Sequence, residues 1–352
     1  MIEPFTYASR PATVVFGEGS SRQVGAWLER LGSRRALVLS TPQQLQDATS
    51  LAAELQDRAV GTFSEAAMHT PVSVTERALA EVRRLGADCV VSLGGGSTTG
   101  LGKAIALRTD LPQIVVPTTY AGSEVTDILG QTDGGEKTTI RDPKVVPEVV
   151  IYDPSLTLGL PVPMSVTSGL NAMAHAAEGL YAADRNPVAS LMALEGLRAM
   201  KDGLPKVVAA PRDIAARAEA LYGAWLCGTV LGSVAMALHH KLCHTLGGSF
   251  DTPHAETHAI MLPHTIAFNE HAVPELLAPA ASLFGGRLGA GLWDFARSLG
   301  APMALRDLGL SEADLDRVAE IATKNPYQNP RQIDREAIRG LLQEAFDGRR
   351  PQ

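Results

Sequence analysis

Asn171 and His175 stand four residues apart in SGLNAMAHAAEG, a spacing that puts both on one face of a helix, one turn apart. His240 and His244 repeat that spacing, and six of the chain's nine histidines fall between His239 and His264. Together with His254, the set Asn171, His175 and His240 reads as a grip for a divalent cation. Fe²⁺ or Zn²⁺ is usually held by imidazoles plus at least one carboxylate, whose charge offsets that of the ion in a buried site. Here the place for the carboxylate is taken by an amide, whose carbonyl is a neutral and weaker ligand. Two expectations follow: a poorly bound metal, or histidines that keep the pocket and do acid–base work instead.

A second group of residues suits phosphate. The run CVVSL is followed at once by Gly94-Gly95-Gly96-Ser97-Thr98-Thr99-Gly100 and then by the helical LGKAIAL. A strand, a glycine turn and a helix start aim backbone N–H groups and a positive helix end at an anion, and glycines let a pyrophosphate come close. The pattern is neither GxGxxG nor GxxxxGK[ST], so the common dinucleotide and P-loop fingerprints are absent. A hydroxyl-rich loop, Pro117-Thr118-Thr119-Tyr120-Ala121-Gly122-Ser123, follows the next strand, and Ser40-Thr41-Pro42 ends an earlier one. Loops at carboxyl ends of strands are where open α/β sheets bind ligands, so Gly94, Gly95, Gly96, Ser97, Thr98, Thr118 and Thr119 are expected to hold a dinucleotide, with Ser40 and Thr41 facing its adenosine ribose. No Asp or Glu stands at Ser40-Thr41-Pro42 to repel a 2′-phosphate, so NADH and NADPH are both admissible.

The elements that carry these groups alternate. ATVVF, RALVLS, AVGTF, CVVSL and QIVVP read as buried strands, and SSRQVGAWLERL and SVTERALAEVRRLG read as amphipathic helices, each opened by a serine N-cap. TDILGQT and VVPEVVIYDP read as further strands. This is the pattern of a parallel sheet covered on both faces, an α/β dinucleotide-binding domain of Rossmann-like type. After Ser155 strand signals fade and Ala- and Leu-rich helices take over, so an all-α substrate or catalytic domain is expected over 158–352, after an α/β domain over 1–157, with Pro154, Pro161 and Pro163 at the boundary.

Composition narrows the partners. A length of 352 residues suits two domains, and a net charge of −7 without a basic stripe argues against nucleic acid or an anionic membrane surface. Cys89, Cys227 and Cys243 form no disulfide framework and no CxxC pair, which fits a reducing cytoplasm. MIEPFTYASRPATVVFG lacks the marks of a signal peptide. Ala220 to Leu238 runs without a charge for about the ~20 residues of a membrane span, but its Gly, Ser and Thr content and the histidines that follow favour a buried helix.

GGGS at 94–97 with Lys103 beyond it, PTTYAGSEVT, the Asn171/His175 helix and HHKLCHTLGGSFDTPHAETHAIMLPH together resemble the iron-containing alcohol dehydrogenase family, over nearly the whole chain from FGEGS to NPR. The resemblance implies a dehydroquinate synthase-like, iron-type alcohol dehydrogenase architecture and a homodimer. It puts Asn171, His175, His240 and His254 on the metal-ligand positions and His244 beside the nicotinamide end. Gly95, Gly96, Ser97, Thr118 and Thr119 match its cofactor contacts. Two departures stand out: Gly100 where the glycine loop normally reaches an Asp, and Asn171 where the metal Asp belongs.

Both departures are similar to a branch of the family that reduces a carbon–carbon double bond conjugated with a ketone in an unsaturated oxo-dicarboxylate. There the developing charge is an enolate, which imidazole donors can stabilise and protonate without a metal. His240, His244 and His254 are then the polarising and proton-donating set, with Asn171 and His175 completing the wall. His239, His258, His264 and His271 are expected to be core residues, Asp251 to cap a turn, and His69 to lie on a surface loop. The rival readings are a metal-dependent alcohol or aldehyde reductase that tolerates Asn as a ligand, and a lyase or binding protein that uses the fold without redox chemistry.

Overall fold

The computed structural model describes residues 5–7, 13–325 and 327–352. It divides at Leu160/Pro161 into two compact units, three residues beyond the boundary expected from composition.

The first unit is built on six parallel strands: β1 (Thr13–Phe16), β2 (Ala36–Leu39), β3 (Ala59–Phe63), β4 (Cys89–Gly94), β5 (Gln113–Pro117) and β8 (Val149–Tyr152), in the order β1-β8-β5-β4-β2-β3. Its central strands are buried throughout because both faces are covered. Alternate residues supply the two layers. Ala36 and Val38 pack with Val24, Leu28, Ala48 and Leu51 of helices α1 (Val24–Arg30) and α2 (Leu45–Leu55). Leu37 and Leu39 pack with Ala78, Leu79, Leu101 and Ile105 of α3 (Val72–Leu85) and α4 (Gly96–Thr109) on the other face.

Three local expectations are corrected. TDILGQT does not join the parallel sheet: its strand β6 (Ile128–Asp133) pairs antiparallel with β7 (Glu136–Arg141), which was not foreseen. The turn between them uses Gly134 and Gly135 at φ of 54° and 87°, the left-handed pair that a tight hairpin needs. The two serines do not cap helices. Pro71 holds the N-cap of α3, and Ser73 lies inside it. Ser20 and Ser21 instead tie their turn to the end of β8, Ser20 Oγ donating to the Tyr152 carbonyl and Ser21 Oγ to Asp153 Oδ2.

The second unit contains no strand among the described residues. Its helices are α5 (Val162–Gly179), α6 (Pro187–Ala209), α7 (Ile214–Ser233), α8 (Leu238–Phe250), α9 (His254–Glu270), α10 (Pro274–Leu283), α11 (Leu288–Ser298), α12 (Glu312–Lys324) and α13 (Arg335–Asp347). Leu238, Leu242 and Leu246 of α8 meet Ile260 and Met261 of α9 and Leu315, Val318, Ile338 and Leu342 of α12 and α13 in one core. The charge-free run from Ala220 is not one helix. It breaks after Ser233, where the Ala235 N–H donates to Asp184 Oδ1 at 2.8 Å, and α8 leaves at 95° to α7. No single helix among the described residues is long and apolar enough to cross a membrane.

One packing feature accounts for a departure noted in the sequence. His69 and Thr70 adopt φ of 63° and 46°, rare for non-glycine residues and rarest for a β-branched one. The turn they form sets the buried Thr70 hydroxyl against α4, 2.3 Å from where a Cβ on Gly100 would lie. Nothing larger than glycine fits there without displacing Thr70. Gly100→Ala is therefore expected to destabilise the protein by about 1–3 kcal/mol through overpacking. Adding Thr70→Ala should recover most of that loss, which a double-mutant cycle of urea midpoints measures.

Candidate active site

In the α/β unit, β4 ends in Gly94 and α4 begins at Gly96, so the loop between them is as short as it can be. A Cβ on Gly95 would come within 2.8 Å of the Thr119 side chain, and one on Gly94 within 2.4 Å of Thr98 Oγ1. Gly95 lets the glycine loop and the hydroxyl loop lie flush, and Gly94 lets the chain turn closely over Thr98. Gly96 is exposed, and a Cβ there would project into space 3.8 Å from the Ala121 Cβ and 4.0 Å from Ser123 Oγ. Ser123 Oγ is buried and finds no hydrogen-bond partner. An open glycine at a helix N-terminus beside an unsatisfied hydroxyl is a cradle for an anion.

The hydroxyl loop is held from behind by Lys103. Its fully buried ammonium donates toward the Ser123 carbonyl (2.6 Å), the Thr126 carbonyl (2.7 Å), Thr126 Oγ1 (2.9 Å) and the Ile128 carbonyl (2.9 Å). Burial pulls its pKa down to about 7, against the pull of Glu124 and Asp127. Thr118 N–H donates to the Gly94 carbonyl and Thr118 Oγ1 accepts from Gln44 Nε2 at 2.9 Å, which links β5, β4 and the turn after β2. Thr98 and Thr118 are buried, Ser97 and Thr119 half-buried. Ser40 is fully buried and bonds Ser64 Oγ at 2.8 Å, so within that turn Thr41 is the more open of the two. Gln44 was not anticipated, because an isolated Gln in a polar turn carries no periodic signal.

In the helical unit, α5, α8 and α9 bring six imidazoles together, His239 lying 4.8 Å from His258 by ring centroids. Ring centroids lie 5.1 Å apart for His175 and His240, 5.2 Å for His240 and His258, 4.4 Å for His254 and His258 and 6.0 Å for His240 and His244. Asn171, His175, His240 and His258 are buried, and His244 and His254 are exposed. Asn171 Oδ1, His175 Nδ1, His240 Nε2 and His258 Nε2 are buried without a protein partner.

Two residues outside the expected set complete the arrangement. Glu178, fully buried on α5, accepts from the His239 N–H at 2.8 Å and from His240 Nδ1 at 2.5 Å. Its place is three residues beyond His175 on the same helix face, a spacing that is legible in the sequence. The other is His258, expected to be a core residue. The Thr265 hydroxyl donates to backbone carbonyls of α9, so its oxygen accepts from His239 Nδ1 at 2.9 Å. His239 Nε2 then accepts from His258 Nδ1 at 2.9 Å, which leaves the lone pair of His258 on Nε2.

His239, Cys243 and His258 have ligand atoms within 4.8 Å of one another, and no other such trio of His, Cys, Asp or Glu occurs among the described residues. The trio is closed by its own hydrogen bond, since 2.9 Å between two nitrogens is shorter than the ~3.3 Å separation around a tetrahedral ion. His264 is buried with both ring nitrogens unpartnered, and His271 lies exposed at the end of α9, so neither is the satisfied core histidine expected. Asp251 ends α8 at φ 54°, a capping position. His69 is half-buried on its turn.

Comparison with known proteins follows the same lines. Residues 11–154 match the family described as iron-containing alcohol dehydrogenase, and residues 165–346 match the Fe-containing alcohol dehydrogenase family, C-terminal. The chain is 67% identical over 351 residues to a maleylacetate reductase of Rhizobium sp. (strain MTP-10005), covering 100% of each. It is similar to the crystal structure of maleylacetate reductase from Agrobacterium tumefaciens, with a TM-score of 0.97 and 68% identity over 99% of this chain and 100% of that one. A sulfoacetaldehyde reductase from Bifidobacterium kashiwanohense, solved in complex with NAD⁺, shares the fold at 22% identity and a TM-score of 0.89, over 97% of this chain and 99% of that one.

Burial, reinforced by neighbouring rings, holds His175, His239 and His258 well below their ordinary value, and burial alone takes His264 to about 4. Unfolding restores a value near ~6.5, so below that pH the unfolded chain binds more protons than the folded one. Stability from these four rings is complete above about pH 6.5 and is lost as pH falls from there toward the folded values. Urea midpoints are expected to drop between about pH 7.5 and about pH 5. Equal midpoints would mean that the rings are not sequestered.

Proposed function

Because the chain belongs to the iron-containing alcohol dehydrogenase family, we propose that it is an NAD(P)H-dependent oxidoreductase that reduces the carbon–carbon double bond of maleylacetate to give 3-oxoadipate, a step in the breakdown of aromatic compounds. The observation that carries this reading is the donor set: imidazoles crowd a pocket whose expected ligand carboxylate is the amide of Asn171. A full-length relative of 67% identity bearing the name maleylacetate reductase supports it.

The glycine and hydroxyl loops suit the dinucleotide. The open Gly96, the α4 N-terminus and the unsatisfied Ser123 hydroxyl fit a pyrophosphate, with Ser97, Thr98, Thr118 and Thr119 around it. When bound, NAD(P)H supplies the hydride. We take NADH as the cofactor, with NADPH accepted because no acid stands at Ser40-Thr41-Pro42. Hydride adds to the carbon β to the ketone, and the displaced electron pair moves onto the ketone oxygen. His240, His244 and His254 are the groups that stabilise this enolate and return a proton to the α carbon, while Asn171 and His175 shape the wall. His175 is held neutral by burial, so it adds no charge to the site. We further propose a cytoplasmic homodimer, in keeping with the family resemblance and with three buried free thiols.

Iron is implied by the family's name, and the residues do not fit it. Asn171 offers only a neutral carbonyl, the ligand atoms of His175, His240 and His254 do not gather within 4.8 Å, and Glu178 is engaged by two N–H donors. One observation favours a metal-dependent alcohol dehydrogenase as the second reading: Asn171 Oδ1, His175 Nδ1 and His240 Nε2 are all buried without a protein partner.

Following NADH absorbance decides between them. Oxidation is expected with maleylacetate and not with simple aldehydes, and it should survive chelation. Loss of turnover on chelation, restored by Fe²⁺ or Zn²⁺, would establish the second reading; no oxidation with any enone or carbonyl would remove hydride transfer altogether. His244→Ala is expected to lower kcat by about 10²-fold or more while NADH binding stays near normal. An unchanged kcat would take His244 out of the mechanism.

A further inference from the structure

The carboxylate missing at position 171 is present on the same helix at position 178, one residue removed from the pocket. We propose that Glu178 is a positioning residue for the reaction: it keeps the hydrogen of His240 on Nδ1 and so makes Nε2 the nitrogen that meets the substrate. The inference rests on the reading of His240 as a proton donor: Nε2 takes a second proton from solvent and hands it on, with the Glu178 carboxylate facing the ring while it is charged and Nδ1 keeping its own hydrogen throughout.

Four observations support it. Asn171, His175 and Glu178 follow one another at spacings of four and three, so the helix face that carries Asn171 and His175 also carries the carboxylate. Glu178 is fully buried, and each oxygen has one donor: Oε1 takes the His239 N–H at 2.8 Å, and Oε2 takes His240 Nδ1 at 2.5 Å. The His239 N–H belongs to the first turn of α8, where the helix dipole favours a negative partner. The opposite nitrogen, His240 Nε2, is buried and has no protein partner.

The backbone N–H of His239 can only donate, so one acceptor of Glu178 is fixed whatever the imidazole does. The other oxygen then decides the tautomer. As an acceptor it obliges Nδ1 to carry a hydrogen, and proton exchange with a ligand is confined to Nε2. In Glu178→Gln the amide oxygen must stay with the His239 N–H, which turns the NH₂ toward His240 Nδ1. That nitrogen must then accept, and the ring hydrogen moves to Nε2. The substitution keeps shape and burial while reversing the tautomer, and a ring whose Nδ1 must accept cannot hold a hydrogen there while Nε2 takes up and gives away a second proton. In serine proteases the equivalent change beside a catalytic histidine lowers kcat by ~10⁴-fold.

The test uses the full-length protein with histidine-selective nitrogen NMR, first without cofactor or substrate. The wild-type His240 signal is expected to show a protonated Nδ1, and Glu178→Gln to show Nε2 protonated instead. Steady-state rates with maleylacetate should fall by about 10²-fold or more in kcat for Glu178→Gln, with KM changed by less than about three-fold. Glu178→Asp, which keeps both acceptors, should recover at least about ten-fold of that loss. A wild-type Nδ1 without hydrogen would overturn the proposal, and that result needs no variant to fold. So would a folded Glu178→Gln with wild-type kcat, or equal impairment of the Gln and Asp variants. Failure of the broader reading is seen separately, as wild-type protein that does not oxidise NADH with maleylacetate, because the tautomer is measured without substrate.

Discussion

A carboxylate removed from water must be met by hydrogen-bond donors, and Glu178 draws both of its donors from the start of one helix. That demand ties α5 to the first turn of α8 and sets the rotation of α8 about its axis. With His239 and His240 placed by it, His244 follows one turn on, and Leu238, Leu242 and Leu246 turn toward the shared core with α9, α12 and α13. The Thr265–His239–His258 chain carries the same order into α9. The site is thus assembled from hydrogen bonds behind its surface, and His175, His240 and His258 each keep one unpartnered nitrogen and Asn171 an unpartnered carbonyl.

What could be read from residues alone was whatever repeats or is dense. The apolar runs became strands because a buried parallel sheet needs every position, and CVVSL followed by glycines located β4 and α4 within a residue. The histidine crowd was visible from spacing. Less was legible where the deciding force is a single distant partner. Ser20 and Ser21 sit where a cap would, yet bond Tyr152 and Asp153, more than 130 residues away. Pro71 took the N-cap of α3 by fixing its own backbone, and β7 gave only a Gly-Gly turn as notice. Glu178 looked like an ordinary helical acid in an Ala-rich stretch, and His258 like a core histidine. Burial and partners, which spacing does not encode, made them members of the site.

The α/β unit shows the same economy. A strained turn at His69 and Thr70 fills the space above Gly100, and a buried lysine replaces several weaker loop contacts by gathering three carbonyls and a hydroxyl at one point. Both devices keep the loops at the ends of β4 and β5 in one shape before anything binds, which lowers the ordering cost of binding.

Asn171 has a consequence for how the protein ages. An asparagine slowly hydrolyses to aspartate when the following backbone nitrogen attacks its side chain, a geometry an α-helix does not allow. Asn171 is buried in the middle of α5, with its neighbour's N–H inside the helical ladder. Deamidation therefore waits on local opening of the helix that also carries His175 and Glu178. The fold shields the amide chemically, so that old molecules do not drift toward a pocket with a second carboxylate in it.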